Sequence, residues 1–208
     1  SPPCKSWENR YNYNFTGYCY GQIDGELDPA LLEFIENGDP PVYIGFGSVY
    51  IKNSERFTKI VIEAVEKTGC RVVLGQGWTG LGNRQINKNI FSVGDLHHGT
   101  LFPKMARIVH HGGSGTTHTA ARAGIPQFIL PQIIDQYYWG NQIFKMDIGP
   151  KSISPNKITT ERLASVLVDF TRGKHKNQAR HLAQSMQHQD GVQEIVNLVN
   201  KIVIKEKD

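Results

Sequence analysis

The period of the apolar positions changes repeatedly along the chain, and each change predicts an element. After Pro40-Pro41 the run VYIGF, Val42 to Phe46, is short, apolar and followed by Gly47-Ser48, the pattern of a buried parallel strand. Phe57, Ile60, Val61, Ala64 and Val65 then recur at i, i+3, i+4, i+7 and i+8, which is one helix face. Asn53 or Ser54 supplies its N-cap and Gly69 its stop. RVVLG (Arg71 to Gly75), IFSVG (Ile90 to Gly94), ARIVHH (Ala106 to His111) and QFILP (Gln127 to Pro131) read as further strands. A small-residue helix is expected from about Ser114 to Ala123, closed by Gly124 and Pro126, and another from about Asp135 to Met146. The chain closes on helices with the stripes Leu163, Val166, Leu167, Phe170; Ala179, Leu182, Ala183, Met186; and Val192, Ile195, Val196, Val199.

Strands alternating with helices mean βαβ units, so the fold class expected is α/β: a Rossmann-like parallel sheet flanked by helices, with terminal helices after it. Residues 1–40 are rich in Tyr, Asn, Pro and Gly, with a short helical candidate from Pro29 to Glu36. They read as an interdomain-linker-like lead-in, and residues 41–208 as the domain proper. In open sheets of this kind ligands bind beyond the carboxyl ends of the strands. Polar and glycine groups gather at those ends: Gly47-Ser48, Gly75 to Trp78, Asp95 to His98, His110 to Thr117 and Asp135-Gln136.

Composition narrows the class. The 208 residues suit one domain with a real core, at 39% hydrophobic and 20% charged. The net charge of +4 is mild and its cations are scattered, which argues against nucleic acid as a partner. A modest cluster at Arg172, Lys174, Lys176 and Arg180 reads as a solvated helix face, with peripheral contact to anionic lipid as the alternative. Cys4, Cys19 and Cys70 are far apart and form no CxxC pair, so reduced thiols in a cytoplasmic chain are expected. One N-x-T sequon, Asn14-Phe15-Thr16, is a weak match. No apolar run approaches the roughly 20 residues of a membrane span, and the first residues show no signal-peptide core.

HHGGSGTTH, His110 to His118, is the most unusual stretch. Gly112, Gly113 and Gly115 let the backbone turn sharply and approach a ligand closely. A helix starting near Ser114 leaves its first N–H groups without internal partners, and its dipole adds about half a positive charge there. Those features make an anion site. The loop is neither a Walker A sequence nor GxGxxG. A metal site needs three ligands on one side of a cation, whereas adjacent histidines on a strand point to opposite faces. A plain glycine-rich strand-to-helix turn with incidental histidines is the other reading open at this point.

HHGGSGTTHTAARAGIPQFILPQIIDQYYWGNQ resembles the donor-binding signature of family-1 glycosyltransferases, two-domain enzymes of the GT-B fold. FTGY (Phe15 to Tyr18) resembles the segment leading into their C-terminal domain. IGFGS, LGQGW (Leu74 to Trp78) and VGDLHHGTLFP (Val93 to Pro103) resemble further stations in the same order. The details are nearer to sterol and glycopeptide glycosyltransferases than to plant secondary-metabolite enzymes, which usually carry a Trp and a Gln where this chain has Asp95 and His98. The resemblance implies one half of a GT-B double-Rossmann enzyme, a nucleotide-sugar-binding C-terminal domain.

It also implies roles. His110, with His111 as the weaker candidate, would contact the donor diphosphate, together with Gly113, Ser114, Gly115, Thr116 and Thr117, and Ser48 from the opposite wall. Asp135 and Gln136 would bind the transferred sugar, with Trp139 beside them. Leu96, through its backbone, His98 and Trp78 would face the nucleobase. The donor expected is UDP-glucose, with a deoxythymidine-linked sugar also open, and the acceptor a sterol or other lipophilic alcohol. No cofactor or metal is expected, and the chain holds no D-x-D pair. The catalytic base would belong to an N-terminal acceptor-binding domain, in the same polypeptide or a partner subunit, so the isolated chain should transfer poorly or not at all. A non-catalytic nucleotide-sugar-binding subunit is the rival reading, and a nucleotide-sugar epimerase half a more distant one.

Overall fold

The computed structural model describes residues 14–21, 25–46, 54–75, 83–94, 97–171 and 173–205. Its contacts divide the chain into two compact units, residues 23–185 and residues 1–22 with 186–208. The larger unit is built on a sheet of β1 (Val42–Gly45), β2 (Val72–Gly75), β3 (Arg84–Asn87), β4 (Ile90–Val93), β5 (Arg107–His110) and β6 (Gln127–Ile129). Their order is β3-β4-β2-β1-β5-β6, parallel throughout except for the antiparallel β3–β4 pair.

Helices connect and cover these strands. They are α1 (Pro29–Glu36), α2 (Ser54–Thr68), α3 (His98–Leu101), α4 (Ser114–Arg122), α5 (Ile134–Lys145), α6 (Thr160–Thr171) and α7 (Lys176–Met186). The α/β expectation and the five strands read from the sequence hold, and β3 is added to them. Glycines 69 and 124, expected as helix stops, take φ of +68° and +71°.

Strand alternation sorts the core into two layers. Val42, Ile44 and Phe46 point to one face of the sheet, where α2 and α6 bring Phe57, Val61, Ala64, Val65, Leu163 and Leu167. Tyr43 points to the other, with Leu31 and Phe34 of α1, Leu101, Phe102 and Ala120 of α4. The central strands are buried along their whole length, which is why they read as continuous apolar runs. A smaller cluster of Ile129, Ile143, Ile148 and Ala179 seats α5 and α7 over β6.

The smaller unit holds the described residues 14–21 and α8 (Gly191–Lys205). The backbone of Gly17 and Tyr18 passes so close to Gly191 that a Cβ there would lie 2.8 Å from the Tyr18 carbonyl oxygen. Along α8 the predicted stripe of Val192, Ile195, Val196 and Val199 is exposed at 41–50%, facing solvent instead of a core. Among the described residues no helix is long and apolar enough to cross a membrane.

Candidate functional site

The strand order places the site. From β1 the chain moves one way to β2 and β4, then returns past β1 to β5 and β6, so the topological switch lies between β1 and β5. Open sheets leave a crevice at that point, outside the carboxyl ends. Gly45 and His110 are the last paired residues there.

His110 and His111 face opposite ways, as pleating requires. His110 follows Ile108 onto the α4 side and is completely buried. Its Nδ1 accepts the Gly112 N–H at 3.1 Å, so the ring proton sits on Nε2 and is donated to Gln127 Oε1 at 2.9 Å. Gln127 Nε2 in turn donates to the Thr117 carbonyl at 3.2 Å. Both nitrogens of His110 are thus engaged within the protein. Burial drives its pKa down to about 3, so the ring is neutral at any ordinary pH. This pair of bonds ties the end of β5 to β6 and α4.

His111 emerges on the other face, half-buried, with its ring 6.4 Å from that of Phe46. Its Nδ1 is buried with no hydrogen-bond partner among the described residues. Its Nε2 lies against Gly113, where a Cβ would collide with it. Burial lowers the His111 pKa, and the Asp135 carboxylate opposes that shift. The loop needs its first glycine twice over. Gly112 has φ +94°, and a Cβ there would press to 2.7 Å from Ile129 Cγ2 and 3.1 Å from the Gln136 carbonyl oxygen.

Helix α4 opens directly behind this loop with Gly113 as N-cap and no side-chain cap. The Thr117 N–H returns to the Gly113 carbonyl, and the amides of Ser114, Gly115 and Thr116 precede the first helical bond. Gly115 is exposed and Ser114 and Thr116 are half-buried. Thr117 is different. It is buried and its hydroxyl donates to the Gly113 carbonyl at 2.9 Å, so its side chain bonds back along the helix.

At α5 the neighbouring residues also separate. Asp135, exposed in the first turn, is the carboxylate that acts on His111. Gln136 is buried, and its Oε1 accepts the N–H groups of Gln132 at 2.7 Å and Ile133 at 3.3 Å. The N-cap of α5 is Ile133, so capping falls to the Gln136 side chain and not to Asp135. Trp139 packs edge-on against His118, with ring centroids 4.8 Å apart, and His118 Nδ1 donates to the Ser114 carbonyl at 2.8 Å. Trp139 thereby leans on the first turn of α4.

His98 opens α3 on the far side of β1. Its ring stacks on Phe102 at 4.6 Å and its Nε2 lies 3.2 Å from the Tyr43 hydroxyl. Burial lowers its pKa, helped by the nearby His111 and His97. The structure therefore brings His98, His111, Gly113, Ser114 and Asp135 to one end of the sheet. Ser48, Trp78 and Leu96 lie outside the described residues. Tyr43 and Gln127 were not singled out from the sequence. Their signals were a Tyr in an otherwise aliphatic strand and an amide opening an apolar one. Among the described residues no cluster of three or more His, Cys, Asp or Glu could hold a metal ion.

This end-of-sheet arrangement belongs to a known class. Residues 60–202 match the family described as erythromycin biosynthesis protein CIII-like, C-terminal domain, and the chain belongs to that family, a C-terminal domain of the family-1 glycosyltransferases. It is 36% identical over 189 residues to a sterol 3-beta-glucosyltransferase of Arabidopsis thaliana, covering 89% of this chain and 31% of that protein. It is 41% identical over 123 residues to the vancomycin aglycone glucosyltransferase of Amycolatopsis orientalis, covering 59% of this chain and 30% of that one. The glycotransferase of kitacinnamycin superposes with a TM-score of 0.73 at 18% identity, over 90% of this chain and 48% of that one, which shows the GT-B fold. The chain spans about 30% of the length of those two glucosyltransferases and 13% of a sterol 3-beta-glucosyltransferase of Candida albicans.

Proposed function

We propose that this chain is the donor-binding half of an inverting, metal-independent glycosyltransferase that moves a hexose, glucose from UDP-glucose, to a hydroxyl of a sterol or other lipophilic acceptor. One observation carries the reading: α4 opens without a side-chain cap at the topological switch, with the His111 ring against its N-cap glycine. An anion at a helix start meets unpartnered amides and the positive end of the dipole. The donor diphosphate takes that place, on the amides of Ser114, Gly115 and Thr116 and the Ser114 and Thr116 hydroxyls. Ser48, outside the described residues, is assigned to the same diphosphate. His111 is the diphosphate histidine, because His110 spends both nitrogens on Gly112 and Gln127. Negative charge grows on the diphosphate as the sugar leaves, and fixed amides stabilise it without reorganising.

The exposed Asp135 carboxylate binds sugar hydroxyls, Gln136 contributes its amide N–H, and Trp139 walls the same space. His98, with Leu96 and Trp78, faces the nucleobase. The base that deprotonates the acceptor comes from an N-terminal domain, which the relatives' extra length supports.

Calorimetric titration with UDP, UDP-glucose and dTDP, in buffer containing EDTA, tests the reading. Binding of UDP-glucose without metal is the expected result. An absolute requirement for magnesium, or no binding of any of the three, would overturn it. A non-catalytic nucleotide-sugar-binding subunit is the second reading, because every donor contact assigned here can exist without transfer. Glucosyl transfer on supplying the N-terminal half decides between the two.

A further inference from the structure

Tyr43 lies on β1 one residue from an otherwise aliphatic pair, and its ring reaches along the sheet toward the carboxyl ends. There its hydroxyl crosses Gly45 and Gly75, the last residues of two neighbouring strands. A Cβ at either glycine would collide with that hydroxyl. Two adjacent strands are therefore bare at the same level, and the space they leave is filled by a phenol oxygen. Beyond it the oxygen meets His98 Nε2 at 3.2 Å.

The direction of this bond follows from the chemistry of the pair. Tyr43 is buried, and burial pushes its pKa far above the phenol's usual value, so it keeps its proton. A buried hydroxyl without an acceptor is costly, and among the described residues the acceptor beside it is His98 Nε2. That nitrogen is then the bare one, and the neutral imidazole carries its proton on Nδ1. The ring cannot swing, because it is stacked on Phe102 with planes 16° apart and packed edge-on by Tyr43. Its Nδ1 makes no hydrogen bond among the described residues and is not one of the buried unpartnered atoms.

We propose that Tyr43 is a positioning residue for the nucleotide: its hydroxyl holds His98 as the tautomer that offers an Nδ1–H to a carbonyl oxygen of the bound base. This rests on the assignment of His98 to the nucleobase side of the site. The opposite tautomer would turn a bare nitrogen toward the same carbonyl and repel it. Uracil and thymine present carbonyl oxygens where cytosine presents an amino group, so the fixed proton also favours the first two. The sign of one hydrogen bond is set by a residue that never touches the ligand.

The test is a tautomer measurement joined to a titration on the full chain. In the native protein, nitrogen-15 NMR of the His98 ring should report the proton on Nδ1. In Tyr43→Phe, which keeps the ring packing, the proton should redistribute to Nε2. UDP should bind about fivefold more weakly in that variant, the size of one neutral hydrogen bond, while inorganic pyrophosphate binds unchanged. A native ring protonated on Nε2, or a Tyr43→Phe ring still protonated on Nδ1, would overturn the proposal without any appeal to folding of the variant. A switched tautomer with undiminished UDP affinity would overturn its nucleotide half. Failure of the native chain to bind UDP at all would instead strike the donor-binding reading.

Discussion

His110 and His111 are adjacent in sequence and divergent in chemistry, because a strand sends consecutive side chains to opposite faces. His110 is locked neutral between Gly112 and Gln127, with a pKa near 3. The unfolded chain takes a proton on that ring at the ordinary histidine value, so the proton favours unfolding. His110's contribution is complete above about pH 6.5 and is lost as pH falls toward 3, at up to about 1.4 kcal/mol per pH unit. Urea midpoints measured from pH 7 to 4 should fall steeply in the native chain and less steeply in His110→Asn. His111, neutral through burial, should gain its proton when a diphosphate arrives. UDP affinity should therefore rise as pH drops from about 8 to 6, and His111→Gln should flatten that rise and weaken binding about tenfold. A calorimetric pH series on both proteins measures it. Gly112→Ala, forced into φ +94° against Ile129, should cost about 2–3 kcal/mol of stability in a thermal melt.

At the scale of elements, what the sequence disclosed and what it hid have separate physical causes. Buried parallel strands are continuous apolar runs, and helices with period 3.6 carry stripes, so β1, β2, β4, β5, β6 and the long helices were legible. β3 was not, because Arg84, Gln85, Ile86 and Asn87 are all exposed and form an edge hairpin with no apolar face to read. The α8 stripe had the right period, but period alone does not say whether a face meets a core, and this one meets solvent. Within the site, spacing disclosed the glycine turn and the helix start. It could not disclose that the Thr117 hydroxyl would bond back to the Gly113 carbonyl or that the Gln136 oxygen would cap α5, since those bonds depend on where each helix begins. Nor could it pair Tyr43 with Gly75, which are far apart in the chain and meet only through sheet register. Gly75→Ala, which drives a methyl into the Tyr43 hydroxyl, should lower stability by about 1–3 kcal/mol. A Tyr43→Phe background should recover part of that loss in the same denaturation assay.

Under the proposed function the larger unit is a donor platform built around one switch point. The two core layers hold the sheet rigid, and the crevice between β1 and β5 collects His98, His111, Asp135 and the start of α4 from segments remote in sequence. The chain covers 13% to 34% of the length of its curated relatives, and the proposed transfer draws its base from an N-terminal domain. The central claim is that a sugar nucleotide's diphosphate sits on the first amides of α4. Amide NMR of the full chain titrated with UDP-glucose in EDTA tests it most directly. The account predicts the largest shifts at Ser114, Gly115 and Thr116. Saturable binding that leaves those three amides unmoved would contradict it.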